Sequence, residues 1–229
     1  MTALDSAHVL VVGATGGLGS AISRRLADRG ARLSLSARSA DRLDALAGEL
    51  GDAVVGTHAA DMTFPAAPAD VVGAASAARA LDGVVFAAGV VAFGPVTELD
   101  DDVLDALLLL NLVAPVRLAR AAVPVLADGG FLANVSAVVA ERPTAGMAAY
   151  SAAKAGLTGF DAALAHELRR RRVRVLDIRP PHTETGLAGR PIAGQAPPLG
   201  QGLAPDDVAA RVVRAVEADE RDLPASAFA

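Results

Sequence analysis

The chain of 229 residues carries a formal net charge of −5, and 52% of its residues are hydrophobic, enough for a sizeable core in one large α/β domain or two small ones. It has no cysteine, which excludes disulfides and thiolate sites and fits a reducing cytoplasm. Its histidines, His8, His58, His166 and His182, lack metal-ligand spacing, and the acidic balance argues against nonspecific nucleic-acid binding.

The N-terminal stretch MTALDSAHVLVVG lacks a basic n-region, so no signal peptide is expected. "HVLVVG" (8–13) predicts a first strand, followed by a helix from Gly17 to Arg29. "ARLSLSA" (31–37) and "SADRLDALAGEL" predict a second strand–helix pair, and "AVVGTHA" (53–59) a third strand before an alanine-rich helix through Arg79. "LDGVVFAAG" (81–89) precedes a long helix from Asp101 to Leu126, and "GFLANVS" (130–136) precedes one from Met147 to Arg172. "VRVLDIR" (173–179) completes a sixth strand. The segment 180–204, rich in Pro and Gly, is irregular, "PDDVAARVVRAVEA" (205–218) is a helix with an acidic first turn, and "RDLPASAFA" has room only for a short last strand. Short apolar strands alternating with helices predict one α/β domain, 1–229, with a doubly wound parallel sheet of six to seven strands and helices on both faces. Apolar runs are interrupted before the roughly 20 residues of a membrane helix. "RRRR" (169–172) is expected to be a solvated helix end.

"VVGATGGLGS" sits where the first strand meets its helix. Small residues there let backbone approach a pyrophosphate, and the helix N-terminus offers free N–H groups. Two spacings fit: Gly13, Gly16 and Gly19, or Gly13, Gly17 and Gly19. Strand two ends "LSLSARS" with no acid to accept ribose hydroxyls and with Arg38 available for a 2′-phosphate, which favours NADP over NAD. Asp61, after strand three, can accept from an adenine amino group or simply cap the next helix.

"YSAAK" (150–154) contains the only tyrosine and the only lysine of the chain; the other 20 of the 21 basic residues are arginines. Tyr150 and Lys154 are one helical turn apart on one face. A nearby ammonium is expected to lower the phenol pKa towards the range of general acid–base catalysis. Ser136, closing strand five, is placed to hydrogen-bond a substrate carbonyl oxygen. Random placement would put a lone lysine at this offset roughly once in two hundred sequences.

Together, "GATGGLG", "FAAG" (86–89), Asn111, Ser136 and "YSAAK" resemble the short-chain dehydrogenase/reductase family in its compact single-domain form, along essentially the whole chain. The resemblance implies Tyr150 as general acid/base and Ser136 as the group polarising the substrate oxygen. Lys154 would bind the nicotinamide ribose and lower the tyrosine pKa, and Asn111 would hold a relay water. It implies cofactor contacts from Gly13, Thr15, Gly17, Leu18 and Gly19, then Arg38, Asp61, Met62, Ala88 and Gly89, and finally Tyr150, Lys154, Pro180 and Thr185. The larger branch of the family, with an extra substrate domain, uses the other glycine spacing, so Gly13, Gly17 and Gly19 is the expected set. Val12 departs from the family's threonine, Phe86 and Ala87 from its asparagines, and Pro180-Pro181 from its Pro-Gly; His182 beside them is expected to be an ordinary loop histidine. The function implied is an NADP(H)-dependent oxidoreductase interconverting a ketone or aldehyde and an alcohol. The alternatives are an NAD-dependent alcohol dehydrogenase of the same fold and a non-catalytic nucleotide-binding regulator. Phe93, Val138, Val139, Met147 and Leu187 suggest an apolar substrate, with no nucleic-acid or membrane partner. Residues 186–202 are expected to close over it as a mobile segment. Apolar excess on the helices at 101–126 and 148–171 suggests a homodimer or homotetramer, the dimer being favoured by the short last strand.

Overall fold

The computed structural model describes residues 3–228. Strand β1 (His8–Val12) leads through a glycine turn into α1 (Gly17–Ala27), β2 (Arg32–Ala37) into α2 (Ala40–Leu50), and β3 (Val54–Ala59) into α3 (Ala67–Ala78). Strand β4 (Leu81–Phe86) precedes a helical run made of α4 (Asp101–Leu108), a π segment (Leu109–Val113), α5 (Ala114–Ala122) and a tight turn ending at Val125. Then come β5 (Leu126–Val135), α6 (Ala148–Glu167), β6 (Arg174–Ile178), α7 (Pro205–Glu217) and the two-residue β7 (Asp222–Leu223). The seven strands form one sheet in the order β3-β2-β1-β4-β5-β6-β7, and every pairing is parallel. This is the single doubly wound sheet that the alternating pattern predicts.

Strand alternation sorts the core into two layers. Val9 and Val11 of β1 pack with Leu33 and Leu35 against α1, α2 and α7. Leu10 and Val12 point the other way, with Val84 and Phe86, into the layer of α3, α5 and α6. Strand order reverses between β1 and β4, and in such sheets ligands bind outside the carboxyl ends at that reversal.

Several boundaries differ from the sequence pattern for identifiable reasons. Helix α1 stops at Ala27 rather than Arg29, where Gly30 at φ +80° donates to the Ala27 carbonyl and turns the chain. Helix α6 narrows to a 3₁₀ turn after Glu167 and is ended by Arg172 in a left-handed conformation. Strand β5 begins at Leu126, four residues before the predicted start, by pairing with Leu81 through an irregular register.

The helical run Asp101–Val125 has the length and apolarity of a membrane span, where interrupted apolar runs predicted none. Its buried residues, among them Leu107, Leu110 and Leu118, pack within the domain. Only 44% of its most apolar window is buried, so part of the surface is left uncovered. The π segment has a local cause: Pro115 has no N–H to give the carbonyl four residues earlier, that of Asn111.

Close packing across the sheet makes one glycine obligatory. A Cβ on Gly83 would lie 2.3 Å from the ring of Phe131 on the neighbouring strand, and that ring is fully buried. Gly83→Ala is therefore expected to cost about 1–3 kcal/mol, the range for overpacking a core. Urea unfolding checks this, and an unchanged midpoint would contradict the packing described.

Candidate active site

The turn after β1 is shaped by what its glycines allow. Gly13 adopts φ +80°, and a Cβ there would lie 2.5 Å from the Ala88 nitrogen at the end of β4. At Gly19 a Cβ would lie 2.1 Å from the Gly13 carbonyl oxygen, and at Gly17 2.8 Å from Thr185 Cα. At Gly16 the nearest atom would be 3.2 Å away, so the strictest demands fall on Gly13, Gly17 and Gly19. Gly16 caps α1 without a side-chain hydrogen bond, so the N–H groups of the first turn face the crevice with the dipole behind them. A dinucleotide pyrophosphate fits this cradle. Leu18 is buried beneath it, and Met62, Val12 and Ala88 pack in one apolar cluster.

Arg38 is exposed just beyond β2, and Ser39 caps α2 by accepting from the Arg42 N–H at 3.3 Å. The Arg42 guanidinium crosses to donate to the Thr15 carbonyl. The sequence reading missed Arg42; its signal was the four-residue step from Arg38, which brings a second guanidinium to the rim. Asp61 accepts from Thr63 N–H at 2.9 Å and Thr63 hydroxyl at 2.8 Å through one oxygen, which is the turn-capping role. Thr185 accepts from Leu187 N–H at 3.4 Å while covering Gly17. The Pro180 carbonyl accepts from Val138 N–H at 3.0 Å, tying the turn after β6 to the segment after β5.

Tyr150 lies in the first turn of α6 and is 6% exposed; Lys154, one turn on, is 3% exposed. The Lys154 Nζ is 5.9 Å from the Tyr150 ring centroid and donates to the Val135 carbonyl at 2.8 Å. The Ser136 hydroxyl donates to the Lys154 carbonyl at 3.1 Å and lies 3.4 Å from the Thr158 hydroxyl. Asn111, in the π segment, donates to the carbonyls of Val90 at 3.0 Å and Leu107 at 2.9 Å and accepts from Val90 N–H at 3.3 Å. A Cβ on Gly89 would lie 2.9 Å from Asn111 Oδ1 and 3.8 Å from Lys154 Nζ. Asn111, Lys154 and the end of β4 therefore meet at one point.

The electrostatics differ from the simple pairing read from "YSAAK". Burial pushes the Tyr150 phenol above its ordinary range, and no lowering by Lys154 offsets it. The cause is the burial of the phenol itself; Lys154 gives one N–H to the Val135 carbonyl and stands over the Tyr150 ring, 5.9 Å from its centroid. Burial lowers Lys154 itself to about 8, with Asp177 and then Asp161 pulling the other way.

A cavity of about 120 Å³ opens against Tyr150, lined by Phe93, Val103, Leu107, Met147 and Ala193 and with Glu98 at its rim. Val138, Val139 and Leu187 pack in the same apolar cluster around Tyr150 rather than on the cavity wall. The segment after β6 is fastened here rather than open. Phe93 N–H donates to the Ala193 carbonyl at 3.0 Å, Ile192 N–H to the Val91 carbonyl at 2.8 Å, and Thr183 bridges to Leu203. His182 lies 3.4 Å from Glu184. A larger groove of about 320 Å³ lies between β3 and α3, lined by His58, Asp61 and Phe64, and includes none of the Tyr150 group.

The family model for short chain dehydrogenase matches residues 7–195. The chain belongs to the short-chain dehydrogenase family. Among curated relatives, the cyclic-di-GMP-binding biofilm dispersal mediator protein of Escherichia coli is 35% identical over 187 residues, covering 81% of this chain and 76% of that protein. A Burkholderia cenocepacia short-chain dehydrogenase solved in complex with NADP superimposes with a TM-score of 0.87 at 30% identity over 100% of both chains. A Sphingobium yanoikuyae short-chain dehydrogenase in complex with NADPH gives 0.86 at 30% identity, covering 95% of this chain and 87% of that one. In this short-chain dehydrogenase the departures at Val12 and Phe86 are fully apolar core positions, 1% exposed each. Membership makes the protein an oxidoreductase with a Rossmann-like fold.

Because Tyr150 is the only tyrosine, ultraviolet titration of the cofactor-free enzyme reads its ionisation alone. Tyrosinate absorbance is expected to stay absent past the ordinary midpoint of about 10 and to appear with unfolding. A midpoint at or below that value would contradict the buried, unrelieved phenol.

Proposed function

We propose that this short-chain dehydrogenase is an NADP(H)-dependent oxidoreductase that interconverts a small apolar ketone or aldehyde and its alcohol. The observation that carries the reading is the phenol of Tyr150, buried at the wall of a cavity lined by apolar side chains together with Glu98 and Asp100, with Lys154 and Asn111 meeting beside it at Gly89. The NADP complexes of the Burkholderia and Sphingobium structures support the cofactor assignment.

Gly13, Gly17 and Gly19, with Thr15 and Leu18, would hold the pyrophosphate. Arg38 and Arg42 at the rim would take the 2′-phosphate, and Asp61, Met62 and Ala88 would flank the adenine. Gly89, Pro180 and Thr185 would border the nicotinamide, with Lys154 on its ribose. Bound there, the nicotinamide supplies or accepts hydride. A phenol kept protonated by burial is fit to hydrogen-bond a carbonyl oxygen and to release its proton only as negative charge develops on that oxygen. Ser136, turned from Lys154's carbonyl towards the pocket, would give that oxygen a second donor. Apolar lining and the fastened segment 191–194 would keep water from the reacting carbon.

A second reading, a nucleotide-binding regulator, is supported by the name of the Escherichia coli relative. Retention of Ser136, Tyr150, Lys154 and Asn111 favours turnover, because a binding module needs no proton donor. The partly covered apolar helical run supports a homodimer, and the cysteine-free composition suits a reducing cytoplasm.

A panel of ketones and aldehydes with NADPH and NADH tests the reading. Reduction of at least one small apolar member with NADPH is expected, and nucleotide binding without turnover on any member would favour the regulator. Arg38→Ala is expected to weaken NADPH at least about tenfold, roughly 1.4 kcal/mol, while changing NADH little; equal effects would remove the 2′-phosphate assignment. Lys154→Arg is expected to fold normally and lose at least about tenfold in kcat/KM, because a planar guanidinium does not fit where an ammonium does. Wild-type activity in that variant would overturn the role given to Lys154.

A further inference from the structure

Where β5 and β6 leave the sheet, the backbone ladder between them runs out. Ser136 N–H donates to the Ile178 carbonyl at 2.7 Å, and Val138 N–H to the Pro180 carbonyl at 3.0 Å. Pro180 and Pro181 have no N–H to return, so along this stretch the bonds run only from the β5 side to the β6 side. Side chains take over there. Arg179 is 8% exposed, and its guanidinium meets three acids: Glu141 at 2.5 Å through Nε, Asp222 at 2.5 Å, and Asp177. Glu141 follows the tight turn Val138–Ala140, and its Oε1 accepts a second bond, from Ala225 N–H at 3.1 Å. Ala225 begins the turn Ala225–Phe228, and the Arg179 main-chain N–H donates to the Leu223 carbonyl at 2.9 Å. The end of β6, the segment after β5 and the C-terminal turn are thus joined through one guanidinium and one carboxylate oxygen.

As packing alone this arrangement is costly. A buried guanidinium with its acids is often no more stable than apolar residues of similar volume, and β6 carries such residues at Val175, Leu176 and Ile178. What the charged group adds is a directional hold, since Arg–carboxylate bonds fix geometry as well as distance. The segment held, 136–141, carries Ser136, 3% exposed, and Val139, which packs in the apolar cluster around Tyr150. Glu141 is not among the residues that line the Tyr150 cavity. Its influence on the site therefore runs through the backbone that it ties down.

We propose that Glu141 is a positioning residue for Ser136 and Val139: held by the Arg179 guanidinium and the Ala225 N–H, it fixes the segment after β5 where the backbone ladder ends, and it makes the C-terminal turn part of the support of the Tyr150 site. The proposal rests on the roles given to Ser136 and Tyr150 above. The expected effect follows from the contacts. With Glu141 truncated, Arg179 keeps Asp177 and Asp222, so β6 and β7 stay joined. The segment 136–141 keeps its backbone bonds but loses its side-chain tie to β6 and to the C-terminal turn. A shift of about 1 Å in a group that touches substrate can lower turnover on the order of a hundredfold. The glycine turn, Arg38 and Arg42 follow β1 and β2, away from Arg179, so the hold on NADPH is left in place.

Amide exchange followed by NMR reads the segment directly, and turnover reads the consequence. In Glu141→Ala, exchange at the Val138 amide is expected to accelerate at least about tenfold more than at core amides of β1 such as Val11. The same variant is expected to lose at least about fivefold in kcat while its Kd for NADPH stays within about twofold of wild type. Glu141→Gln keeps an acceptor oxygen but loses the charge that strengthens both bonds, so it falls between wild type and Glu141→Ala. It decides the matter if Glu141→Ala fails to fold. Val138 exchange that changes no more than Val11 exchange in the folded variants overturns the proposal. So does full kcat with a loosened Val138 amide, or a kcat loss matched by an equal loss of NADPH affinity. Loosening at Val138 that is greater in Ala than in Gln, in a protein whose wild type reduces no carbonyl, upholds the tie and counts instead against the oxidoreductase chemistry proposed for Tyr150.

Discussion

The arrangement depends on an ammonium held inside the protein. Lys154 is placed where α6 crosses the end of β5, and its Nζ donates to the Val135 carbonyl at 2.8 Å. The neighbouring contacts follow from that placement. Ser136 hydrogen-bonds the Lys154 backbone, Gly89 lacks a side chain because the Asn111 amide occupies the space, and Tyr150 sits one turn earlier against the cavity. An arginine would bring a larger, flat group with five donors into a site that offers few acceptors, which explains why a chain that otherwise writes its basic residues as arginine keeps a lysine here.

The sheet supplies the precision. Glycine turns after β1 and β4 meet across the switch in strand order, with Gly13 and Ala88 too close for any side chain at Gly13. A third segment, after β6, reaches the same crevice through Thr185 and is fastened to the strand end at Val91 and Phe93. The glycine turn therefore stands at the strand ends, Tyr150 and Lys154 project from α6 beside them, and the segment hydrogen-bonded to Phe93 forms part of the cavity wall. The π segment adds to this by opening the helix at Asn111, whose amide then braces Val90.

Much of this was legible in the sequence, for physical reasons. Apolar runs of strand length separated by helical stretches leave few options besides a parallel sheet covered on both sides, and the spacing of Tyr150 and Lys154 is fixed by a single helical turn. The glycine assignment needed the resemblance, because two spacings fit the same letters; only backbone approach distances separate Gly17 from Gly16. Long-range side-chain reach stayed hidden. Arg42 touching Thr15, Asp161 meeting Asn134 and Arg179 gathering Glu141, Asp177 and Asp222 are contacts between residues far apart in the chain or set by rotamers. The upward shift of Tyr150 was not legible either, because the spacing of Tyr150 and Lys154 does not show how deeply the phenol is buried.

The most direct test of the central claim is isotopic. NADPH carrying deuterium at the transferable C4 position is incubated with an accepted carbonyl compound, and the product alcohol is read by NMR. The expected result is deuterium on the carbinol carbon with wild-type enzyme, and its loss in Tyr150→Phe despite retained NADPH binding. Deuterium transfer that proceeds at the wild-type rate in Tyr150→Phe would contradict the assignment of Tyr150 as the proton donor.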